Sequence, residues 1–139
     1  MDIPATPAPA LEWGERHVTF FDPATQTRRT LSSYSEAKQL LQVTSDPFVC
    51  TIATIFAMKC IADNCSETEI ERFKQEIQRE SQCLKDLIKS EAPISDFLTR
   101  LLKASTRSLS INGMKTDIAH EAIRISIELE EYYSLPKTS

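Results

Sequence analysis

Thr44–Cys60 reads TSDPFVCTIATIFAMKC. A polar turn opens it, and apolar residues then run almost without a break to Ala62, with Lys59 as the one charge. Asp46 suits a helix N-cap. Pro47 suits the first helical position, where its missing N–H would have had no helical partner. Phe48, Val49, Cys50, Ile52, Ala53, Ile55, Phe56, Ala57, Met58, Cys60 and Ile61 then cover every face of the helix. A helix that is apolar all round is buried all round. At about 15 residues the run falls short of the ~20 needed to cross a bilayer, and its first turn is polar. The stretch therefore predicts the central helix of a helical core, with the rest of the chain wrapped around it.

Upstream, His17 to Phe21 is β-branched and aromatic, and Arg28 to Leu31 is a suitable partner strand. Asp22-Pro23 marks the turn between them, giving a short hairpin. An isolated hairpin is marginal in water, so Trp13 and either Phe20 or Phe21 should lie against the helices. From Ser33 the period changes. Tyr34, Ala37, Leu40 and Leu41 predict a helix over about 35–43.

Downstream, Ser66-Glu67-Thr68-Glu69 has the form of a capping box that opens a long helix over 67–90. Its apolar stripe is Ile70, Phe73, Ile77, Leu84, Leu87 and Ile88. A fourth helix starts at Pro93 or Ser95 and carries Phe97, Leu98, Leu101 and Leu102. Asn112-Gly113 reads as a turn. A fifth helix follows over 116–133, with Ile118, Ala119, Ala122, Ile123, Ser126, Leu129 and Tyr133 on one side. Glu128, Glu130 and Glu131 gather near its C-terminal end, against the helix dipole.

The expected fold class is mainly α: a five-helix bundle around a central buried helix, with an N-terminal β-hairpin. Residues 1–10, with three prolines, read as a disordered tail. Residues 11–135 form a single helical domain, and 136–139 a disordered end.

The chain has 139 residues, of which 41% are hydrophobic and 26% charged, which suits one ordinary globular domain. Sixteen Lys and Arg stand against 20 Asp and Glu, a net charge of -4. The basic residues are scattered apart from Arg28-Arg29. That balance argues against nucleic acid or an anionic membrane as partner. MDIPATPAPA has no apolar core, so it is no secretory signal, and a cytoplasmic location with reduced thiols is expected. Cys50 and Cys60 read as small core residues. Cys60 and Cys65 lack zinc spacing, and His17 and His120 are remote, so no metal and no cofactor is expected. A redox pair joining Cys60 or Cys65 to Cys83 stays open.

Chemistry-bearing motifs are sparse. Gly14 and Gly113 are the only glycines, too few for a phosphate-cradling loop. His120 on the fifth helix, with Glu121 or Asp117 nearby, is a candidate general base, set against a plain surface or boundary histidine. Trp13, Phe20 and Phe21 lack the flanking cations of a nucleic-acid platform.

The order of these features resembles the N-terminal domain of the methylthioribose-1-phosphate isomerases, which are related to the regulatory subunits of translation initiation factor 2B. The resemblance covers about 11–134. It rests on a tryptophan-bearing start, a strand ending Phe20-Phe21-Asp22, a short helix, and a turn beginning with valine before a buried apolar helix. In the isomerases the strand reads Leu-Leu-Asp-Gln and the turn Val-Arg-Gly-Ala-Pro. Here the turn is Val43-Thr44-Ser45-Asp46-Pro47. The family's later Arg-Pro-Thr-Ala segment is matched by Glu91-Ala92-Pro93-Ile94.

The resemblance implies that the family's turn arginine helps hold the substrate phosphate and that its glycine lets the backbone approach. Thr44 and Ser45 stand in their place, and Asp46 adds negative charge at the helix N-terminus, where a phosphate would dock. The turn Thr44, Ser45, Asp46, Pro47 is thus expected to be a vestigial phosphate site. The family's catalytic cysteine and aspartate belong to a second domain, which this chain ends before reaching. None of its own cysteines takes that role, so no catalytic residue is assigned.

The expectation is a non-catalytic, isomerase-like domain (a pseudoenzyme) that acts by binding a protein partner or by self-association. The alternative is a small enzyme, or a subunit of sugar-phosphate isomerase type completed by a partner chain, with His120 and Glu121 as candidate participants.

Overall fold

Three strands and five helices follow one another along the chain in the computed structural model, which describes residues 11–22, 25–44, 46–87, 94–104 and 108–134. They are β1 (Leu11–Trp13), β2 (Val18–Asp22), β3 (Thr27–Leu31), α1 (Tyr34–Val43), α2 (Pro47–Asn64), α3 (Ile70–Leu87), α4 (Ile94–Ala104) and α5 (Ile111–Ser134). The mainly α class with an N-terminal hairpin is as expected. The tail at 1–10, the end at 136–139 and Glu91-Ala92-Pro93 lie outside the described residues.

The strands form one antiparallel sheet in the order β1-β2-β3. Val18 sits opposite both Trp13 and Leu31. Alternation along β2 sends Val18 and Phe20 inward, fully buried, while Phe21 stays 37% exposed. Phe20 is thus the one of the two phenylalanines that meets the core. Strand β1 adds to the expected hairpin and is only three residues long, too short for a periodic signal. The turn that joins it to β2 closes with a 2.8 Å bond from the Gly14 N–H to the His17 carbonyl. A Cβ at Gly14 would stand 2.1 Å from the His17 ring, so the imidazole can lie there only over a glycine.

Helix α2 is the pillar of the fold. Asp46 caps it, Pro47 occupies its first turn, and it runs 18 residues, somewhat further than the apolar run suggested. Among the described residues it is the one helix long and apolar enough to cross a membrane, but 72% of it is buried by the other elements. Each of the other four helices packs against it. Phe56, Ile52, Ile55 and Met58 are at most 1% exposed. Burying each such side chain stabilises the fold by about 1.5–3 kcal/mol. The two buried threonines satisfy themselves: Thr51 donates to the Pro47 carbonyl at 2.7 Å and Thr54 to the Cys50 carbonyl at 2.8 Å. At the far end, the Lys115 ammonium donates to the carbonyl of the C-cap Cys65 at 3.2 Å, placing a cation at the negative pole of the helix.

Two helix starts differ from the sequence reading. Helix α3 begins at Ile70, three residues after the expected start, and its first helical bond runs from the Phe73 N–H to the Glu69 carbonyl. Glu69 pairs with Arg72 at 3.3 Å, and residues 65–68 have no helical conformation, so the Ser66 capping box does not open this helix. Helix α5 begins at Ile111, and Asn112-Gly113 lie within its first turn. Ser110 overrides the turn signal: its hydroxyl accepts the Gly113 N–H at 3.0 Å and its carbonyl accepts the Met114 N–H at 2.9 Å. Gly113 serves there by its size, because a Cβ would lie 1.9 Å from the Ser108 hydroxyl. The buried face of α5 is Met114, Ile118, Ala122, Ile125 and Leu129, which leaves Ile123 and Ile127 on the outer side at 38% and 52% exposure.

Candidate functional site

The α1–α2 corner is built by hydrogen bonds that use its own polar groups. The Thr44 N–H ends α1 by donating to the Leu40 carbonyl at 2.9 Å. The Thr44 hydroxyl then accepts the Asp46 N–H at 3.2 Å. The Asp46 carboxylate accepts the Val49 N–H at 3.0 Å, and its carbonyl takes the first helical bond from Cys50 at 2.9 Å. Pro47 is exposed in the first turn, and Ser45 lies outside the described residues. A free helix N-terminus attracts anions because its first amides lack partners and carry partial positive charge. Here a fixed carboxylate already occupies one of those amides. An incoming phosphate would meet like charge at short range, opposed by about 1–4 kcal/mol at 4 Å between bulk water and an effective dielectric near 20.

The structure separates His120 from Glu121 rather than bringing them together. His120 is exposed on α5, whereas Glu121 is only 4% exposed. The Arg100 guanidinium donates through Nε to Glu121 at 3.0 Å and through two nitrogens to Glu128 at 3.0 and 2.6 Å. Arg124 completes the set with a 3.2 Å bond to the other Glu121 oxygen. These hydrogen bonds hold the Glu128 carboxyl below the usual carboxylate range, chiefly through Arg100, and push the Arg100 guanidinium above its ordinary value. The cluster fastens α4 to α5, and Glu121 is fully engaged in it.

A second polar region surrounds Tyr34, which sequence reasoning did not single out. One cavity of about 690 Å³ is lined by Arg16, Ser32, Ser33, Tyr34, Lys59 and Asp63, among others. On its other side a cavity of about 350 Å³ is lined by Tyr34, Cys60, Cys65, Glu67, Glu76 and Glu80, among others. The Tyr34 hydroxyl donates to Glu80 at 3.4 Å, and the Lys38 ammonium stands 5.4 Å from the ring centroid. Burial and then the Glu80 carboxylate raise the Tyr34 phenol to about 12. Burial likewise pushes the Cys60 thiol up to about 11, which leaves it a poor nucleophile. Lys59 is held by the Glu15 carbonyl at 3.2 Å and by Asp63 at 3.1 Å. These groups come from four separate stretches of chain, so no local motif announces them. Among the described residues no group of three or more His, Cys, Asp or Glu could hold a metal ion.

No family model matches the chain. It is 29% identical over 129 residues to the methylthioribose-1-phosphate isomerase of Bacillus pumilus (strain SAFR-032) and 27% identical to that of Geobacillus kaustophilus (strain HTA426). Both matches cover 88% of this chain and 36% of the relative. The isomerase of Bacillus licheniformis is 30% identical over 96 residues, covering 69% of this chain and 27% of the relative. The chain thus spans about a third of the length of the curated relatives it matches. The resemblance read from the order of strand, turn and helix holds: this chain corresponds to the N-terminal part of those isomerases.

Proposed function

We propose, from the kinship of this chain with methylthioribose-1-phosphate isomerases along 88% of its length, that it is an isomerase-like domain working by protein contact and not by catalysis. The observation that carries this reading is the Asp46 carboxylate bonded to the Val49 amide at 3.0 Å. The corner that the resemblance marks as a phosphate-holding turn is occupied by the protein's own anion. The domain acts in the cytoplasm and docks to a full-length isomerase-like chain or to a second copy of itself. Two measurements test the proposal together. Calorimetric titration with a pentose 1-phosphate should give no binding heat, and sedimentation of the chain, alone and with a purified methylthioribose-1-phosphate isomerase, should reveal a complex. Saturable sugar-phosphate binding that involves Asp46, or a strictly monomeric chain in both mixtures, would overturn it.

A second reading is favoured by the extent of the match itself. In it the chain supplies part of a sugar-phosphate isomerase site that another chain completes, with exposed His120 as the available base, Glu121 being buried and held by Arg100 and Arg124. An isomerase activity that appears on mixing the two chains and falls with His120→Ala would support it. The same activity untouched by His120→Ala would remove His120 from it.

A further inference from the structure

Arg28-Arg29 is the one pair of adjacent Lys or Arg residues in the sequence, and the functional reading above leaves it unused. Both residues lie on β3, the outer strand of the sheet, where Thr27, Arg28, Arg29 and Thr30 are exposed and Leu31 alone is buried. The Arg29 guanidinium donates to the buried Asp22 carboxylate at 2.7 Å and keeps 42% of its side chain exposed. The chain leaves that strand at Ser32, an exposed residue three positions after Arg29. Protein kinases bind the acceptor segment in extended form, and those with an acidic groove select arginine a few residues before the acceptor hydroxyl. The edge strand presents the two arginines already extended, and Ser32 follows directly after it, between buried Leu31 and the α1 cap Ser33.

The neighbouring hydroxyls are engaged. Thr30 bonds the Thr19 hydroxyl at 2.9 Å. Ser33 caps α1, accepting the Glu36 N–H at 3.2 Å and donating to the Glu36 carboxylate. Ser32 stands between them and contributes its backbone N–H to Glu36 at 3.2 Å. It also lines the 690 Å³ cavity that holds Arg16 and Lys59.

We propose that Ser32 is a phosphorylation site for a basophilic serine/threonine protein kinase, and that its phosphate seats in this cavity toward Arg16 and Lys59. In the reaction the Ser32 Oγ attacks the γ-phosphorus of ATP. An O–P bond forms, the bond from that phosphorus to the β–γ bridging oxygen breaks, and ADP leaves. The hydroxyl proton passes to the kinase's carboxylate base. The product adds nearly two negative charges, which are repelled by Glu36 and by Glu15 and Asp63 of the cavity wall and attracted by Arg16 and by Lys59, the latter drawn from its 3.1 Å pairing with Asp63.

The test uses the intact folded chain, Mg-ATP and a kinase that selects arginine three residues before the acceptor. Fragment-ion mass spectrometry is expected to place a single phosphate on Ser32, and Ser32→Ala to abolish it. In the phosphorylated protein, phosphorus NMR should show the phosphate titrating below the ordinary value of about 6. Arg16→Ala, in an exposed turn, should return it toward that value, and Lys59→Gln should do the same. A folded chain that stays unlabelled while a peptide of residues 25–36 is labelled would overturn the proposal. So would phosphate on Thr30 or Ser33 instead, or a titration that neither variant moves.

Discussion

The indole Nε1 of Trp13 donates a 2.6 Å hydrogen bond to the hydroxyl of Ser126, 113 residues further along the chain. Ser126 is itself buried and donates to the Ala122 carbonyl at 2.9 Å. The Trp13 ring lies 6.2 Å from that of Phe56, tilted by 33°. One side chain of the short strand β1 thus touches both the central helix and the last one. Ser126→Ala removes the acceptor and leaves the indole N–H without it, at a cost of about 1–3 kcal/mol. Urea unfolding should show that loss, and emission from Trp13, the single tryptophan, should shift as its surroundings loosen.

Asp46→Ala should lower stability by about 1 kcal/mol, because the Val49 amide loses its cap, whereas Asp46→Asn should stay close to the parent. Thermal unfolding of the three proteins checks this. Both variants also remove the charge that opposes an anion at this corner, so any affinity for a pentose 1-phosphate in calorimetry should rise relative to the parent.

Glu121→Gln should destabilise by about 1.5–3 kcal/mol, since it weakens charge-assisted bonds from Arg100 and Arg124 at a buried position. Glu128 behaves differently because its side chain is 50% exposed. Its carboxyl is held below the ordinary value, so its contribution is present above the unfolded value near 4.3 and is lost as pH falls through the lower folded one. Solvent screening keeps that contribution below about 1 kcal/mol. Comparing unfolding at pH 7 and at successive values below 4.3 should show Glu128→Gln losing less stability over that acid range than the parent.

Alkylation should discriminate among the thiols. With the Cys60 thiol pushed up to about 11, its thiolate is roughly a hundredfold scarcer at neutral pH than that of an ordinary cysteine. Cys83 is exposed. Iodoacetamide followed by peptide mapping should find Cys83 modified first and Cys60 last among the two.

Replacing a helical glycine by alanine normally stabilises by about 0.5–1 kcal/mol. Gly113→Ala should do the reverse, because the new methyl would meet the Ser108 hydroxyl at 1.9 Å and its Cβ at 2.8 Å. The double variant Gly113→Ala with Ser108→Gly should recover most of the loss in a thermal melt.

The features that could be read in advance are those written in consecutive residues. Helix α2 shows itself because no face of it is polar, and Asp46-Pro47 fixes where it starts. The boundary errors came from local signals that compete. Asn112-Gly113 has turn chemistry, but Ser110 two residues earlier offers both a cap and a helical carbonyl, and the apolar face from Met114 onward pulls the turn into the helix. At α3 the box-forming residues were present, yet Glu69 pairs forward with Arg72. The site was less legible than the fold. Asp46 could be read as an anion at a helix start, whereas Arg100 meeting Glu121 and Glu128, or Tyr34 meeting Glu80, depends on how helices distant in sequence are brought together. His120 and Glu121, adjacent in sequence, point apart because successive helical residues are rotated by roughly 100°.

A pillar with no polar side has a bearing on biosynthesis. Once Asn64 has left the ribosome, α2 has no orientation in which water is tolerated, and its last covering helix ends about 70 residues later. At about 5–20 residues per second that interval lasts from roughly 4 to 14 seconds. Its apolar surface is open to aggregation throughout that interval, and slowing synthesis beyond Asn64 should send more of the chain into inclusion bodies.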